Sequence, residues 1–211
     1  HGVIEGFDKV AWKKQQLEAN EAYDDVLLVS AGDAFSGNAV VDRYQEDGKK
    51  LPGKPMVELM NNAGYDAITI GNHGFDYGQK RLQASIENSE GAKILANIEV
   101  DEAEADMTQP EPYTTIEAEN TCVTFKLLGL IQVDGEYPAT LPDNLYGLNF
   151  LDPLSTASEY TNLADESDIF IGLTHLGHDT DRELAKQMGS LDLIIGGHSH
   201  TAVKNPDLVN D

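Results

Sequence analysis

Short apolar runs, each ending on a turn that carries a histidine or an acid, are the feature that most constrains how this chain can fold. Ala67-Ile68-Thr69-Ile70 has the β-branched character of a buried strand and leads into Gly71-Asn72-His73-Gly74-Phe75-Asp76-Tyr77-Gly78. Glycines on both sides permit a tight turn, and Asp76 stands close enough to orient the His73 imidazole. The pattern recurs. Val26-Leu27-Leu28-Val29 precedes Asp33; Asp168-Ile169-Phe170-Ile171-Gly172-Leu173 delivers His175; a run over 191–195 brings up His198 and His200; and the chain opens on His1-Gly2. Five of the six histidines therefore follow apolar runs or stand at the chain start. Each position also has a purely structural explanation: Asp33 can cap a helix, and an Asn-His turn can satisfy its own backbone.

Helical repeats separate these runs. Residues 8–22 suit an exposed amphipathic helix capped by Asp8, with Trp12 in packing. Pro55 opens a helix whose Met56, Leu59, Met60 and Ala63 face the core, closed by Gly64. Further helices are predicted over 79–88, with Leu82 and Ile86 inward, over 153–165 and over 181–188. Residues 34–53 read as loop with one helical turn, 94–98 as a strand, and 134–150 as a long irregular connection bordering a pocket. The runs 113–117 and 122–131 form a hairpin signal, which makes the sheet architecture mixed within an otherwise alternating α/β order.

With 211 residues and no linker, one large domain is expected. No run of about 18 apolar residues and no leader pattern is present, so no membrane span is expected. The 37 acids against 14 bases give a net charge of −23, which argues against a nucleic-acid partner. Most of these acids are read as a solvated surface, and the five between residues 99 and 106 as a loop lacking calcium-loop spacing. Cys122, the single cysteine, is expected to be a buried thiol.

A fold that gathers strand ends along one rim would bring the spaced histidines, Asp33 and Asn72 together. Mixed imidazole nitrogen and carboxylate or amide oxygen suits zinc, manganese, iron or cobalt, and six donors exceed the need of one four-coordinate ion. Two ions a few ångströms apart form the arrangement used for phosphoryl transfer.

The runs Gly32-Asp33, Gly71-Asn72-His73, His175 and Gly197-His198-Ser199-His200, preceded by His1-Gly2, resemble the calcineurin-like metallophosphoesterases. More narrowly, Val57-Glu58-Leu59-Met60-Asn61, Phe75-Asp76-Tyr77-Gly78, Thr174-His175-Leu176-Gly177 and residues 192–201 resemble the N-terminal catalytic domain of 5′-nucleotidases. That resemblance implies a four-layer α/β/β/α sandwich with two mixed sheets. It implies two divalent ions, manganese, zinc or similar, one held by His1, Asp33 and His200 and the other by Asp33, Asn72, His175 and His198. A metal-bound hydroxide would attack phosphorus while Asn72, His73 and Asp76 serve catalysis, His73 stabilising charge and assisting the leaving group. The implied substrate is a nucleoside 5′-monophosphate or related nucleotide, with 2′,3′-cyclic nucleotides, UDP-sugars and a non-catalytic metal- or ligand-binding module as alternatives. The implied location is extracellular, periplasmic or at the cell surface. Against the family pattern, the Asp two residues before His1 is missing, Gly74 replaces a usual Glu, and the C-terminal nucleoside-binding domain is not in the sequence. Residues 1–211 are thus expected to form one catalytic domain. His178 is read as pocket rim or solvated loop.

Overall fold

The computed structural model describes residues 6–210. Helix α1, Phe7–Glu18, starts from Gly6 in a left-handed conformation, so Gly6 and not Asp8 is its N-cap, and the helix stops four residues short of the predicted end. It buries none of its residues fully; Lys14 anchors it by donating to the Gly64 carbonyl at 2.5 Å. Trp12 is 59% exposed, contrary to the packing role predicted for it, because it lies on the face of α1 turned away from the core.

Strand β1, Val29–Ser30, is shorter than the predicted run. The predicted loop 34–53 contains α2, Ala39–Asp42, and a small hairpin of β2, Gln45–Glu46, with β3, Lys49–Lys50. Helix α3, Lys54–Ala63, has proline in its first turn and Gly64 at φ 70° as its C-cap, and Met56 and Met60 are buried as predicted. Strand β4, Ala67–Thr69, leads through a 3₁₀ turn, Asn72–Phe75, into α4, Gln79–Asn88.

The predicted strand 94–98 is instead two elements, β5, Ala92–Ile94, and β6, Ile98–Val100. The break comes where backbone N–H groups change partner: Leu95 donates to Glu111 and Ala96 to Gly129. The buried Asn97 side chain then bonds both Ile131 and Leu151. Strands β7, Tyr113–Glu117, and β8, Thr124–Ile131, form the predicted antiparallel hairpin. Cys122 lies in its turn at φ 57° and is exposed, not buried, because the turn carries it off the sheet. Residues 134–150 are irregular except for a 3₁₀ turn, Pro142–Asn144, and β9, Leu148–Phe150, which pairs with β6. Helix α5, Pro153–Ser158, gives way to a 3₁₀ segment, Thr161–Glu166, where a single helix was predicted. Strand β10, Ile169–His175, helix α6, His178–Gln187, and β11, Leu193–Gly196, complete the order.

Two main sheets result, one ordered β1-β4-β5 and all parallel, the other β11-β10-β8-β7 with only β7 antiparallel. Side chains alternate between layers along each strand. On one sheet, Ala67 and Ile94 face the second sheet while Ile68 and Ile70 pack under α3 and α4 with Met56, Met60 and Leu82. On the other, Leu127, Ile171 and Leu173 face inward while Leu128, Leu130 and Phe170 pack under α5 and α6 with Ala157, Leu184 and Met188. The layers are therefore helix, sheet, sheet, helix, as expected. Contact between the sheets is close: a β-carbon added at Gly129 would lie 2.4 Å from the Ile94 carbonyl oxygen.

Candidate active site

Strands β1, β4, β10 and β11 run parallel within their sheets, and the four predicted turns follow their C-terminal ends. Asp33 and Asn72 come from one sheet, and His175 and His198 from the other. Asp33 is 6% exposed. Its Oδ2 lies 3.0 Å from His175 Nε2, and its Oδ1 accepts the His73 backbone N–H at 2.9 Å. Asn72 Oδ1 lies 3.1 Å from His175 Nε2 and 3.2 Å from His198 Nδ1, and the Asn72 amide donates to the Ala139 carbonyl at 2.7 Å. That last bond fixes which end of the amide points into the cluster. The His175 and His198 rings meet edge to face, 5.2 Å between centroids.

Backbone approaches make this density attainable. A β-carbon at Gly71 would lie 2.3 Å from Asp33 Oδ1, one at Gly32 2.6 Å from His175 Nδ1, and one at Gly197 2.5 Å from the Ala31 carbonyl. Asp33, His198 and His200 all take left-handed backbone conformations, at φ 58°, 75° and 56°. Such conformations in residues with side chains are costly and gather where function holds them.

The donor chemistry fits a cation. His175 donates its Nδ1–H to the Ala31 carbonyl at 2.5 Å, which leaves Nε2 facing two oxygens, Asp33 Oδ2 and Asn72 Oδ1. A neutral imidazole would there aim a lone pair at two acceptors, a conflict removed by a proton or a metal ion. Burial, with the neighbouring His175, pushes His198 below the usual imidazole range, which favours the neutral form that ligates metals. Burial pushes the Asp33 carboxyl up, but the hydrogen bond and charge of His175 and the His73 amide outweigh it, so its pKa is lowered and the carboxylate persists. Counting His, Cys, Asp and Glu alone, no group of three converges as a metal cage among the described residues; the cluster closes on the Asn72 amide oxygen.

His200 is exposed, and its charge opposes protonation of His198. His1, the remaining predicted ligand, lies outside the described residues. His178 opens α6, half-buried, with Nε2 3.5 Å from Asp207. Together His178, His198 and His200 border a 610 Å³ cavity between α6, β11 and residues 201–210.

Beside the cluster, His73 Nδ1 lies 2.8 Å from Asp76 Oδ2. Sequence reasoning anticipated this couple but not what holds it. Ser36, 1% exposed, donates to Asp76 Oδ2 at 2.9 Å, and the Thr140 hydroxyl lies 3.4 Å from Asp76 Oδ1. The irregular segment 134–150 does border the site, with Ala139 on Asn72 and Asn144 on the carbonyls of Phe75 and Asp76. On the far side of β10, the Thr174 hydroxyl donates to Asp181 Oδ1 at 2.5 Å, and burial pushes the Asp181 carboxyl up to about 6 against the pull of Thr174 and the nearby histidines.

The profile of the calcineurin-like phosphoesterases matches residues 1–202. The chain belongs to that family. It is 30% identical over 216 aligned residues to the trifunctional nucleotide phosphoesterase YfkN of Bacillus subtilis, covering 88% of this chain and 14% of the relative. It is 28% identical to the snake venom 5′-nucleotidase of Gloydius brevicauda, over 93% of this chain and 32% of that protein. The crystal structure of a 5′-nucleotidase precursor from Thermus thermophilus superposes with a TM-score of 0.76 at 25% identity, over 91% of this chain and 36% of the other. This calcineurin-like phosphoesterase chain thus spans a third or less of the length of these two curated relatives.

Proposed function

We propose that residues 1–211 form the catalytic domain of a nucleotide phosphohydrolase that removes phosphate from nucleoside 5′-monophosphates or related nucleotides. The observation that carries this reading is the meeting of Asp33, Asn72, His175 and His198 from two sheets, with the His73–Asp76 couple alongside. Asp33, Asn72, His175 and His198 would hold divalent metal, with His1 and His200 completing a second position and Asp33 shared. Two such ions, manganese, zinc or similar, would supply charge neutralisation and an acidified water. The names of the relatives, which include nucleotide phosphoesterases and 5′-nucleotidases, support a nucleotide as substrate.

The chain's own contribution is electrostatic and positional. The three turns that carry Gly32, Gly71 and Gly197 bring oxygen and nitrogen donors to one point without intervening side chains, and the low solvent exposure of Asp33 and Asn72 strengthens every charge interaction there. Asp76 accepts from His73 Nδ1 and so leaves Nε2 as the edge that can meet substrate. As the phosphorus–oxygen bond breaks, His73 in its doubly protonated form can pass the Nε2 proton to the leaving oxygen and become the neutral Nδ1–H ring, and before that step its positive charge can stabilise the phosphoryl group.

Nucleoside recognition by a further domain, and an extracellular, periplasmic or cell-surface location, are proposed on the same family resemblance. No helix among the described residues is long and apolar enough to cross a membrane. Replacing Asp33 by Asn in the full parent protein should lower turnover of a nucleoside 5′-monophosphate by about 100-fold or more, since mutations of metal-site groups cost at least that range. Near-normal turnover would overturn the assignment.

A further inference from the structure

One loop borders both the N–H and the carbonyl of His73, whose carbonyl also accepts from the Asp76 N–H at 3.3 Å. The His73 N–H is taken by Asp33 Oδ1 at 2.9 Å, and the His73 carbonyl lies 3.2 Å from Ser36 Oγ, three residues further along the same loop. The Ser36 hydroxyl has a nearer acceptor in Asp76 Oδ2, at 2.9 Å, the oxygen that also faces His73 Nδ1 at 2.8 Å. Ser36 is 1% exposed, so bulk solvent does not compete for its proton.

We propose that Ser36 is a positioning residue that fixes the Asp76 carboxylate, and through it the His73 ring, in register with Asp33. A carboxylate held at one oxygen by histidine alone can rotate about its Cβ–Cγ bond, because that torsion is broad and roughly two-fold. A second donor on the same oxygen removes that freedom. The Thr140 hydroxyl, at 3.4 Å from Oδ1, is a weaker constraint. Because Asp33 and Ser36 share a loop, any displacement of Asp33 carries the histidine with it, and the proton donor keeps its place relative to the carboxylate that would bridge the ions. The kinetic consequence rests on the phosphohydrolase reading; the structural consequence, a fixed Nδ1–H tautomer of His73, does not.

Three variants test this in the full chain: Ser36→Ala, Ser36→Cys, which keeps the volume with a weak donor, and Ser36→Thr, which restores the hydroxyl. The first readout is ¹⁵N NMR of the His73 ring in metal-free protein. Ser36→Ala and Ser36→Cys should convert a single Nδ1–H tautomer into a mixture, and Ser36→Thr should retain it. The second readout compares two substrates. For a nucleoside 5′-monophosphate, whose alkoxide leaving group needs a proton, kcat should fall about 10-fold in the Ala and Cys variants with KM within about 2-fold, a partial loss of a general-acid effect. For p-nitrophenyl phosphate, whose phenolate leaves unaided, the loss should stay under about 3-fold, and Ser36→Thr should restore both rates. An unchanged His73 tautomer in the Ala and Cys variants, or equal losses on the two substrates, would overturn the proposal. If the unsubstituted protein hydrolyses neither substrate, the phosphohydrolase reading fails, and the NMR result alone decides the role of Ser36.

Discussion

Burial disfavours the charged form of Asp181, and replacing it with Asn should stabilise the protein in a pH-dependent way. Burial pushes its carboxyl from the ordinary 3.8 up to about 6, and the hydrogen bond from Thr174 only partly offsets this. A folded chain that binds the proton more tightly than the unfolded chain is favoured while the group is protonated. That advantage is complete below pH 4, erodes as the unfolded carboxyl ionises, and is gone once pH passes the folded value near 6. At about 1.4 kcal/mol per pH unit, the gap corresponds to a ceiling of about 3 kcal/mol of penalty carried at neutral pH. Asn keeps an oxygen for Thr174 and does not titrate. The stability difference between Asp181→Asn and the parent should therefore grow in favour of the variant by about 1.4 kcal/mol between pH 5 and pH 7.5. Urea unfolding at four pH values in that range, with chelator present throughout, measures it; that range keeps a chain of net charge −23 dispersed. A difference that is constant with pH, or that turns against the variant as pH rises, would refute the idea that Asp181 is strained by burial.

Other perturbations probe the scaffold and the site. Gly129→Ala would drive a methyl to within 2.4 Å of the Ile94 carbonyl and should cost about 1–3 kcal/mol or more in thermal or urea unfolding, since backbone of the facing sheet must move; a neutral result would mean the sheets are not in contact there. Trp12, the sole tryptophan and 59% exposed, should emit as a solvated indole in the native state and shift little on unfolding, so a strongly blue-shifted native spectrum would contradict the placement of α1. Adding manganese or zinc should raise the melting temperature in proportion to the logarithm of free metal above its Kd, and Asp33→Asn should abolish most of that rise; equal stabilisation of both proteins would place the metal elsewhere.

Much of this arrangement was legible in residue order because parallel strands put their exits on one rim. Val29, Ala67 to Thr69, Ile169 to His175 and Leu193 to Gly196 are each apolar enough to mark a strand, and the chemistry follows directly after. What sequence could not supply was set by tertiary partners. The run around Ile94 reads as one strand, yet its N–H groups turn to two different neighbours and split it. Cys122 and Trp12 are apolar in type, but a turn and an outward helix face decided their exposure. Ser36 carries no signature at all. A serine three residues beyond an acid is ordinary in a loop, and only the approach of the 72–76 turn gives it a function to perform.

The glycines that line the junction of the two sheets have a consequence for how this site can change over time. At Gly32, Gly71 and Gly197 the contact is backbone against functional atom, with no side chain in between. A pocket walled by side chains can adjust by swapping rotamers or exchanging a leucine for a methionine. A junction made of main chain has no such parts to exchange, so nearly any substitution there displaces Asp33 or His175 outright. Novelty is thereby steered outward, to segments such as 134–146, which meets the centre through Ala139, Thr140 and Asn144, and 201–210, which lines the cavity beside it. A chain built this way can acquire new substrates while its chemistry stays fixed.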